Sequence, residues 1–371
     1  MNRLYLHQKI REKIIKTNKK LYGSNTPAQS NDIRNYIITK DKNHIEYIGD
    51  NFSLSKCDLG KSHNFDIKGD NYHGRIKGNI PLCTVCNPIS STSSIKEKEL
   101  YNFIRSVYSG KIKRSYKDNR KEIDIFLEDI KLGFEFNGLY WHSEEYKDKN
   151  YHLNKTKYFR DKGIRIIHIW EDDWINKRKI IESQIMNWLG LTKNKIYARK
   201  CNVREISDVN IVRNFLNANH VQGFTTSTKK IGLYYNKELV SIMLFDKNEG
   251  RKKMDKDQWN LSRFSNTLDT SVIGGASKLL KYFIKCYDPI RIISYADRDW
   301  SEGNIYHNLG FSEVKKSLPD YKYIFENERV HKSKFRKSKI DSDLSEREYT
   351  NRNGIKRIWD CGKIKFEMKI T

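Results

Sequence analysis

At 371 residues the chain is too long for one ordinary domain, so two or three are expected, and its 71 Lys and Arg against 46 Asp and Glu give a formal charge of +25 at pH 7. The excess runs along the whole chain and favours a polyanionic partner, nucleic acid before an anionic membrane. No run of about eighteen apolar residues is present, which argues against a transmembrane helix, and MNRLYLHQKIREKIIKTNKK is too polar for a signal-peptide core.

An intracellular, cytoplasmic and reducing setting follows as the expectation, in which the six cysteines read as thiols or metal ligands instead of disulfides. Residues 1–50 form a polar region of helical or mixed pattern. Residues 51–93 carry Cys57-x5-His63 and Cys83-x2-Cys86, four ligands in two pairs. The second pair, in PLCTVCNP, has the spacing that lets two thiolates reach one tetrahedral Zn²⁺, with His73 as an alternative ligand. A structural Zn²⁺ would hold together a segment too short and polar to fold alone, and its Lys68, Arg75 and Lys77 are then placed to contact DNA phosphates.

Residues 94–190 read as a compact α/β unit. Ser94 and Glu97 form a capping box, and Leu100, Phe103, Ile104 and Val107 repeat at helical spacing. EIDIF and KLGFEFN alternate like strands across Glu128 and Asp129. YHLNKTKYFRDKG reads as a helix ending at Gly163, IRIIHIW as a buried strand, and EDDWINKRKIIESQIMNWLG as one closing helix. Glu171, Asp172 and Asp173 then favour that helix's N-terminus, and His168 reads as a core histidine.

Within this unit Asp124, Glu135, Asn137 and His142 fall close together. Alternation places Asp124 on the strand face of Glu122 and Phe126, opposite Ile123 and Ile125, and places Gly133, Glu135 and Asn137 on one face of the next strand. An antiparallel pair then brings Asp124 and Glu135 together. Two such carboxylates suit Mg²⁺, a hard cation that keeps several waters and can activate one of them against a phosphate. His142 is available to move a proton near neutral pH, and Lys155 and Arg160 on the following helix to clamp phosphates. In so basic a chain this points to metal-assisted cutting of double-stranded DNA.

The order D-x-F, F-x-N-G-x-Y-W-H, G-I-R-I-I-H-I-W-E resembles the very-short-patch repair endonucleases, and more closely the related EDxHD homing endonucleases of phages and group I introns, both of the PD-(D/E)XK nuclease superfamily. The likeness covers about residues 94–190. It implies that Asp124 binds the metal and that His142 is the general acid–base group. It assigns the first-helix glutamate to Glu99, with Glu97 beside it, and a final aspartate to Asp172. The E-x-K position reads Glu135-Phe136-Asn137; Asn137 supplies no cation, so Lys155 is the candidate substitute. The 51–93 segment resembles the zinc-ribbon modules that accompany such nucleases, and the setting implied is a phage or its bacterial host.

Residues 191–371 read as a second α/β unit with a basic tail. IGLYY and LVSIMLF are strands joined at Asn236-Lys237, IRIISYA is another, and SVIGGASKLLKYFIKCY is a Gly-led helix. GGASKLLKYFIKCY followed by IISYADRDWSEGNIYHNLGF resembles the GNAT N-acetyltransferase fold over about residues 197–325. That likeness implies phosphate binding at Gly274, Gly275 and Ala276, with Tyr306 near a leaving thiol. The leading Gln or Arg of the family's loop is missing, so reuse of the fold for target recognition is expected, with no small-molecule cofactor. Asp297, Arg298 and Trp300 are candidate base readers. Lys332, Lys334, Arg336, Lys337 and Lys339 form a candidate phosphate strip. The expected molecule is a monomeric or homodimeric DNA endonuclease. Its rivals are a mismatch-type nicking repair enzyme, an inactive DNA-binding protein, and an acetyl-CoA-dependent N-acetyltransferase.

Overall fold

The computed structural model describes residues 95–371, apart from 250, 251, 256, 341, 342 and 371, together with short helical or strand segments at 15–17, 19–20, 45–48, 51–54, 65–68, 76–77 and 80–81. The chain divides into two units, Met1–Ile95 and Lys96–Thr371. In the first, β1 (Ile45–Ile48), β2 (Asn51–Leu54) and β3 (Phe65–Lys68) form an antiparallel sheet, and β4 (Ile76–Lys77) pairs with β5 (Ile80–Pro81). Cys57, His63, Arg75, Cys83 and Cys86 lie outside the described residues.

The second unit opens with α1 (Ile95–Val107) and a four-stranded sheet in the order β6 (Ile112–Asp118), β7 (Lys121–Leu127), β8 (Leu132–Asn137), β9 (Arg165–Trp170). β6 is an edge strand that sequence alternation did not reveal, because IKRSYKD places no fully buried residue. β8 and β9 are parallel, so the chain needs a crossover, and α2 (Tyr151–Arg160) supplies it. Leu100, Ile104, Ile181 and Ile185 cover one face of the sheet over Ile125, Leu127, Phe134 and Phe136. Phe159 covers the other over Ile123, Phe126 and Ile166. There Gly133 is required, since a Cβ at this position would lie 2.7 Å from Ile166 and 2.8 Å from Ile123. The expected single closing helix is broken at Lys177 into α3 (Glu171–Asn176) and α4 (Arg178–Trp188).

The strands then run β10 (Asn194–Tyr197), β11 (Asn202–Glu205), β12 (Lys229–Tyr235), β13 (Glu238–Asp246), β14 (Asn248–Glu249), β15 (Lys252–Lys253), β16 (Gln258–Asn266), β17 (Thr270–Ile273), β18 (Arg291–Asp297) and β19 (Ser312–Lys316). The remaining four are β20 (Tyr321–Phe325), β21 (Glu328–His331), β22 (Arg357–Trp359) and β23 (Lys363–Lys369). An open seven-stranded sheet has the order β11-β12-β13-β16-β18-β23-β19, antiparallel except for β16 beside β18. α5 (Val209–Asn219) lies on one face, over Ile242 and Leu244. α6 (Gly275–Tyr287) lies on the other, over Met243 and Phe245, with Phe283 stacked on Phe245 at 3.5 Å. Burial on both faces explains why LVSIMLF is apolar throughout but for the small, buried Ser241. The expected mixed α/β class is what the structure has, with open sheets. Among the described residues no helix is long and apolar enough to cross a membrane.

The expected basic tail is not a tail. Residues between β19 and β23 form an insert in which β21, β20 and β22 make a three-stranded sheet beside α8 (Glu346–Arg352), whereas β23 returns to the large sheet, where α7 (Asn304–Asn308) precedes β19. The strand pair expected around Ile358 and Phe366 is therefore split between two sheets. The insert grips helix α3 beside the first sheet. Arg329 is buried against Asp172 and Asp173, and its guanidinium lies 4.5 Å from the Trp170 ring. Those aspartates thus hold an arginine instead of serving only the helix terminus, and Asp172 is committed to it through contacts of 2.8 and 3.0 Å.

Candidate active site

β7 and β8 pair only as far as Ile125 and Phe134. Beyond that point they part, and the Phe136 N–H donates to Asp124 Oδ2 at 2.7 Å instead of to a backbone carbonyl. The expected strict alternation also fails at Asp124, because Ile123 and Phe126 fall in one apolar cluster and Ile125 and Leu127 in the other. This irregularity places a carboxylate in the opening where β8 leaves β7. Glu135, next along β8, is fully buried, and Lys155 reaches it from α2 with a direct ion pair.

Three charges share this pocket. Burial pushes the Glu135 carboxyl up to about 8, and the charge of Asp124 adds to the effect, while Lys155 opposes it. Burial also raises Asp124, against the pull of Lys155 and the Phe136 N–H. Burial works against the Lys155 charge, yet Glu135 and Asp124 outweigh it and hold the ammonium above its usual range. One cation thus faces two carboxylates, and a second cation is what would let both ionise. Glu135 Oε1 is buried without a hydrogen-bond partner. Among the described residues no three His, Cys, Asp or Glu side chains converge as a complete protein cage for a metal. Mg²⁺ does not need one, since it binds through one or two carboxylates, waters and substrate phosphate. This pair of carboxylates could hold Mg²⁺ in that way, with Asp124 and Glu135 as the ligands.

Asn137 follows Glu135 on the same face but turns to His168, with Nδ2 3.1 Å from Nδ1. His168 is fully buried, and its Nε2 lies 2.8 Å from Thr156 Oγ1. His142 stands beyond, stacked on His152 at 5.0 Å, and His152 meets His168 edge-on at 5.3 Å. Burial, with Lys147 and Lys155 nearby, lowers His142 to about 3, so its imidazole is neutral at pH 7 and protonates only when a neighbouring negative charge offsets that burial. His152 has both ring nitrogens unpartnered in the core. His152 was not legible as a site residue in the sequence, although His152, Lys155, Thr156 and Phe159 recur at the spacing of one helix face.

Other expected site residues are engaged elsewhere. Glu99 is bound to Lys96 at 3.2 Å and Arg178 at 2.6 Å, and neither Asp124 nor Glu135 shares those partners. Arg160 pairs with Glu302 at 3.0 Å, which competes with a role as a phosphate clamp. Arg298 is only 4 % exposed, too buried to read bases. Its loop is a joint: Asp299 accepts from Trp170 Nε1 at 2.9 Å and from the Cys361 N–H at 2.8 Å, and Trp300 packs on Trp188 at 5.5 Å. Lys334 and Lys337 are exposed and Arg336 half-buried, so this part of the basic strip faces outward, whereas Lys332 pairs with Asp320 at 2.6 Å. A separate cavity of about 650 Å³ is lined by residues including Arg263, Tyr295, Trp300 and Tyr306, and by none of Asp124, Glu135, His142 or Lys155.

No family model matches the chain, and no curated protein does. Among solved structures it is similar to a GNAT-family acetyltransferase from Bacillus cereus, with 14% identity, 46% of this chain and 98% of that chain covered and a TM-score of 0.26. It is also similar to a Bacillus subtilis acetyltransferase in complex with CoA, with 12% identity over 46% of this chain and 100% of that chain and a TM-score of 0.28. The catalytic domain of the homing endonuclease I-Bth0305I is a further match, with 22% identity, 27% of this chain and 100% of that domain covered and a TM-score of 0.23.

Proposed function

We propose that the chain is a Mg²⁺-dependent DNA endonuclease of the homing or mobile type. The observation that carries this reading is the juxtaposition of Asp124, Glu135 and Lys155 where β8 parts from β7, with Lys155 supplying from a helix the cation that Asn137 does not. Asp124 and Glu135 are the residues to hold Mg²⁺, which when bound supplies Lewis-acid activation of water and phosphate. Lys155 steadies the charge of Glu135, and His142 is the residue proposed to handle a proton, once the charge of bound phosphate offsets the burial that keeps it neutral. The exposed Lys334 and Lys337, with Arg336, are proposed to contact phosphates. Cys57, His63, Cys83 and Cys86 are proposed to hold one structural Zn²⁺. Metal analysis of protein purified without added zinc should find about one per chain, and a chain free of zinc would remove that assignment.

Calorimetry tests the metal site without knowledge of the target sequence. Glu135 must lose its proton to ligate the ion, so Mg²⁺ affinity should rise about tenfold per pH unit up to about pH 8 and then level. The same raised carboxyl makes the metal-free protein lose stability as pH climbs from the ordinary carboxylate range through about 8, a loss that Mg²⁺ should offset. Affinity independent of pH over this range would remove Glu135 from the site. A second reading, acetyl-CoA binding, is favoured by the cavity beside Tyr306. Titration of the same protein with acetyl-CoA decides it: micromolar binding would support a transferase role, and no heat would leave the domain to recognition.

A further inference from the structure

The stretch that carries His142 is anchored from outside its own sheet. At its start the Leu139 N–H donates to Glu171 Oε2 at 2.9 Å, and the Leu139 side chain packs with Trp170 and Ile358. Immediately after His142, Ser143 forms a β-bridge with Ile358 of the insert, and the Glu144 N–H donates to the Arg357 carbonyl at 2.8 Å. The Glu144 carboxylate is then clamped by two arginines. Arg357 donates to it from its backbone N–H at 3.1 Å and from Nε at 2.8 Å. Arg347 makes the paired approach typical of a guanidinium fork, with Nη1 at 2.8 Å from Oε1 and Nη2 at 3.2 Å from Oε2. Burial alone would raise Glu144, but the two arginines hold it below the usual carboxylate range.

We infer that Glu144 is a positioning residue for the cutting reaction: gripped by Arg347 and Arg357 of the insert, it fixes the loop that presents His142 to the carboxylate pocket. The inference rests on the nuclease reading above. Glu144 lies two residues past His142, and the turn between them leaves little slack: the His142 N–H donates to the Gly138 carbonyl at 3.1 Å and the Ser143 N–H to the Tyr140 carbonyl at 3.2 Å. Arg347 and Arg357 lie more than 200 positions along the chain, so the first sheet's reaction depends on the docked C-terminal half. A misplacement of about 1 Å in such a group can cost about 10²-fold in rate.

The test uses the full chain and a duplex that the parent cuts. Glu144→Ala should lower kcat about 10²-fold with DNA affinity within about twofold of the parent, as expected when a contact serves only the reacting geometry. Arg347→Ala, which removes half of the clamp from a more exposed site, should move kcat the same way by less. In both variants hydrogen exchange of the 142–147 amides should quicken while that of β8 and β9 stays slow. Combined with His142→Ala, itself down about 10²–10⁴-fold, Glu144→Ala should add almost nothing. An equal loss from Glu144→Ala in the His142→Ala background, or unchanged exchange in the loop, would overturn the positioning role. Parent-like cutting by Glu144→Ala beside a dead His142→Ala would overturn it alone. Parent-like cutting by His142→Ala would overturn the role of His142 and this inference together.

Discussion

Asp124→Asn is expected to abolish Mg²⁺-dependent cleavage, with a loss of about 10³-fold or more, because the amide keeps the shape but not the charge that holds the ion. The Phe136 N–H that now donates to Asp124 Oδ2 can still find the amide oxygen, so the parting of β7 and β8 should survive. Asp124 is half-buried and carries no positive charge to meet a phosphate, so DNA affinity measured in EDTA should stay within a few-fold of the parent. Calorimetric Mg²⁺ binding should vanish with the activity. Glu122→Gln is the control: Glu122 is half-buried two residues away and pairs with Lys117 at 3.5 Å, so its loss should change the rate little. A dead Glu122→Gln beside an active Asp124→Asn would show that the strand register at the site is misassigned.

Lys155→Met should be nearly as damaging, at about 10²–10³-fold, the loss typical when one charge-stabilising group is removed from a closed site. Methionine fills a similar length on α2 but leaves Glu135 with Asp124 alone, two carboxylates without their shared cation. The Glu135 carboxyl should then rise further, and whatever cleavage remains should need a higher pH and more Mg²⁺ than the parent. Lys155→Arg keeps the charge in a bulkier form and should recover part of the rate. Full activity in Lys155→Met, with an unchanged pH profile, would mean that the lysine only balances charge in the core.

The apolar strands around this site were readable because both faces of β8 and β9 are buried. LGFEFN and RIIHIW have few exposures to satisfy, so a polar residue among them stands out. Glu135 and Asn137 stand out that way, whereas Asp124 was legible from the alternation of EIDIF and His142 from its place just after them in YWH. The details that make the pocket were not readable. The break in alternation at Asp124 arises from tertiary packing on the two sheet faces, which a period-two pattern does not encode. Asn137, placed in sequence where a lysine is expected, turns to His168, a partner set by the parallel register of β8 and β9. β6 escaped because an edge strand needs only backbone pairing on one side, and IKRSYKD satisfies that with polar side chains.

Charge was the less reliable guide. Glu99, Arg160 and Arg298 looked available in a strongly basic chain, and each is instead spent within the fold. Two of them pair with residues at least 79 positions distant, and one is buried at the joint. Sequence distance hides such partners, so an arginine on a surface-like segment reads the same whether it will face solvent or a glutamate. The insert between β19 and β23 was hidden for the same reason. Its apolar residues, Tyr323, Phe335 and Ile355, form a small core of their own, while its Arg329 answers Asp172 and Asp173 on α3 and its Arg347 and Arg357 answer Glu144 in the loop after β8.

Incubation of the purified full chain with a heterogeneous mixture of phage and bacterial genomic DNA, in Mg²⁺ or in EDTA, with sequencing of the new ends, shows whether the protein cuts DNA. Discrete breaks at a small set of recurring sites are expected in Mg²⁺, none in EDTA, and none with Asp124→Asn. Intact DNA in the presence of Mg²⁺ or any other divalent ion, from protein that binds the same DNA, would contradict the nuclease reading and leave a binding protein with an inactive nuclease fold.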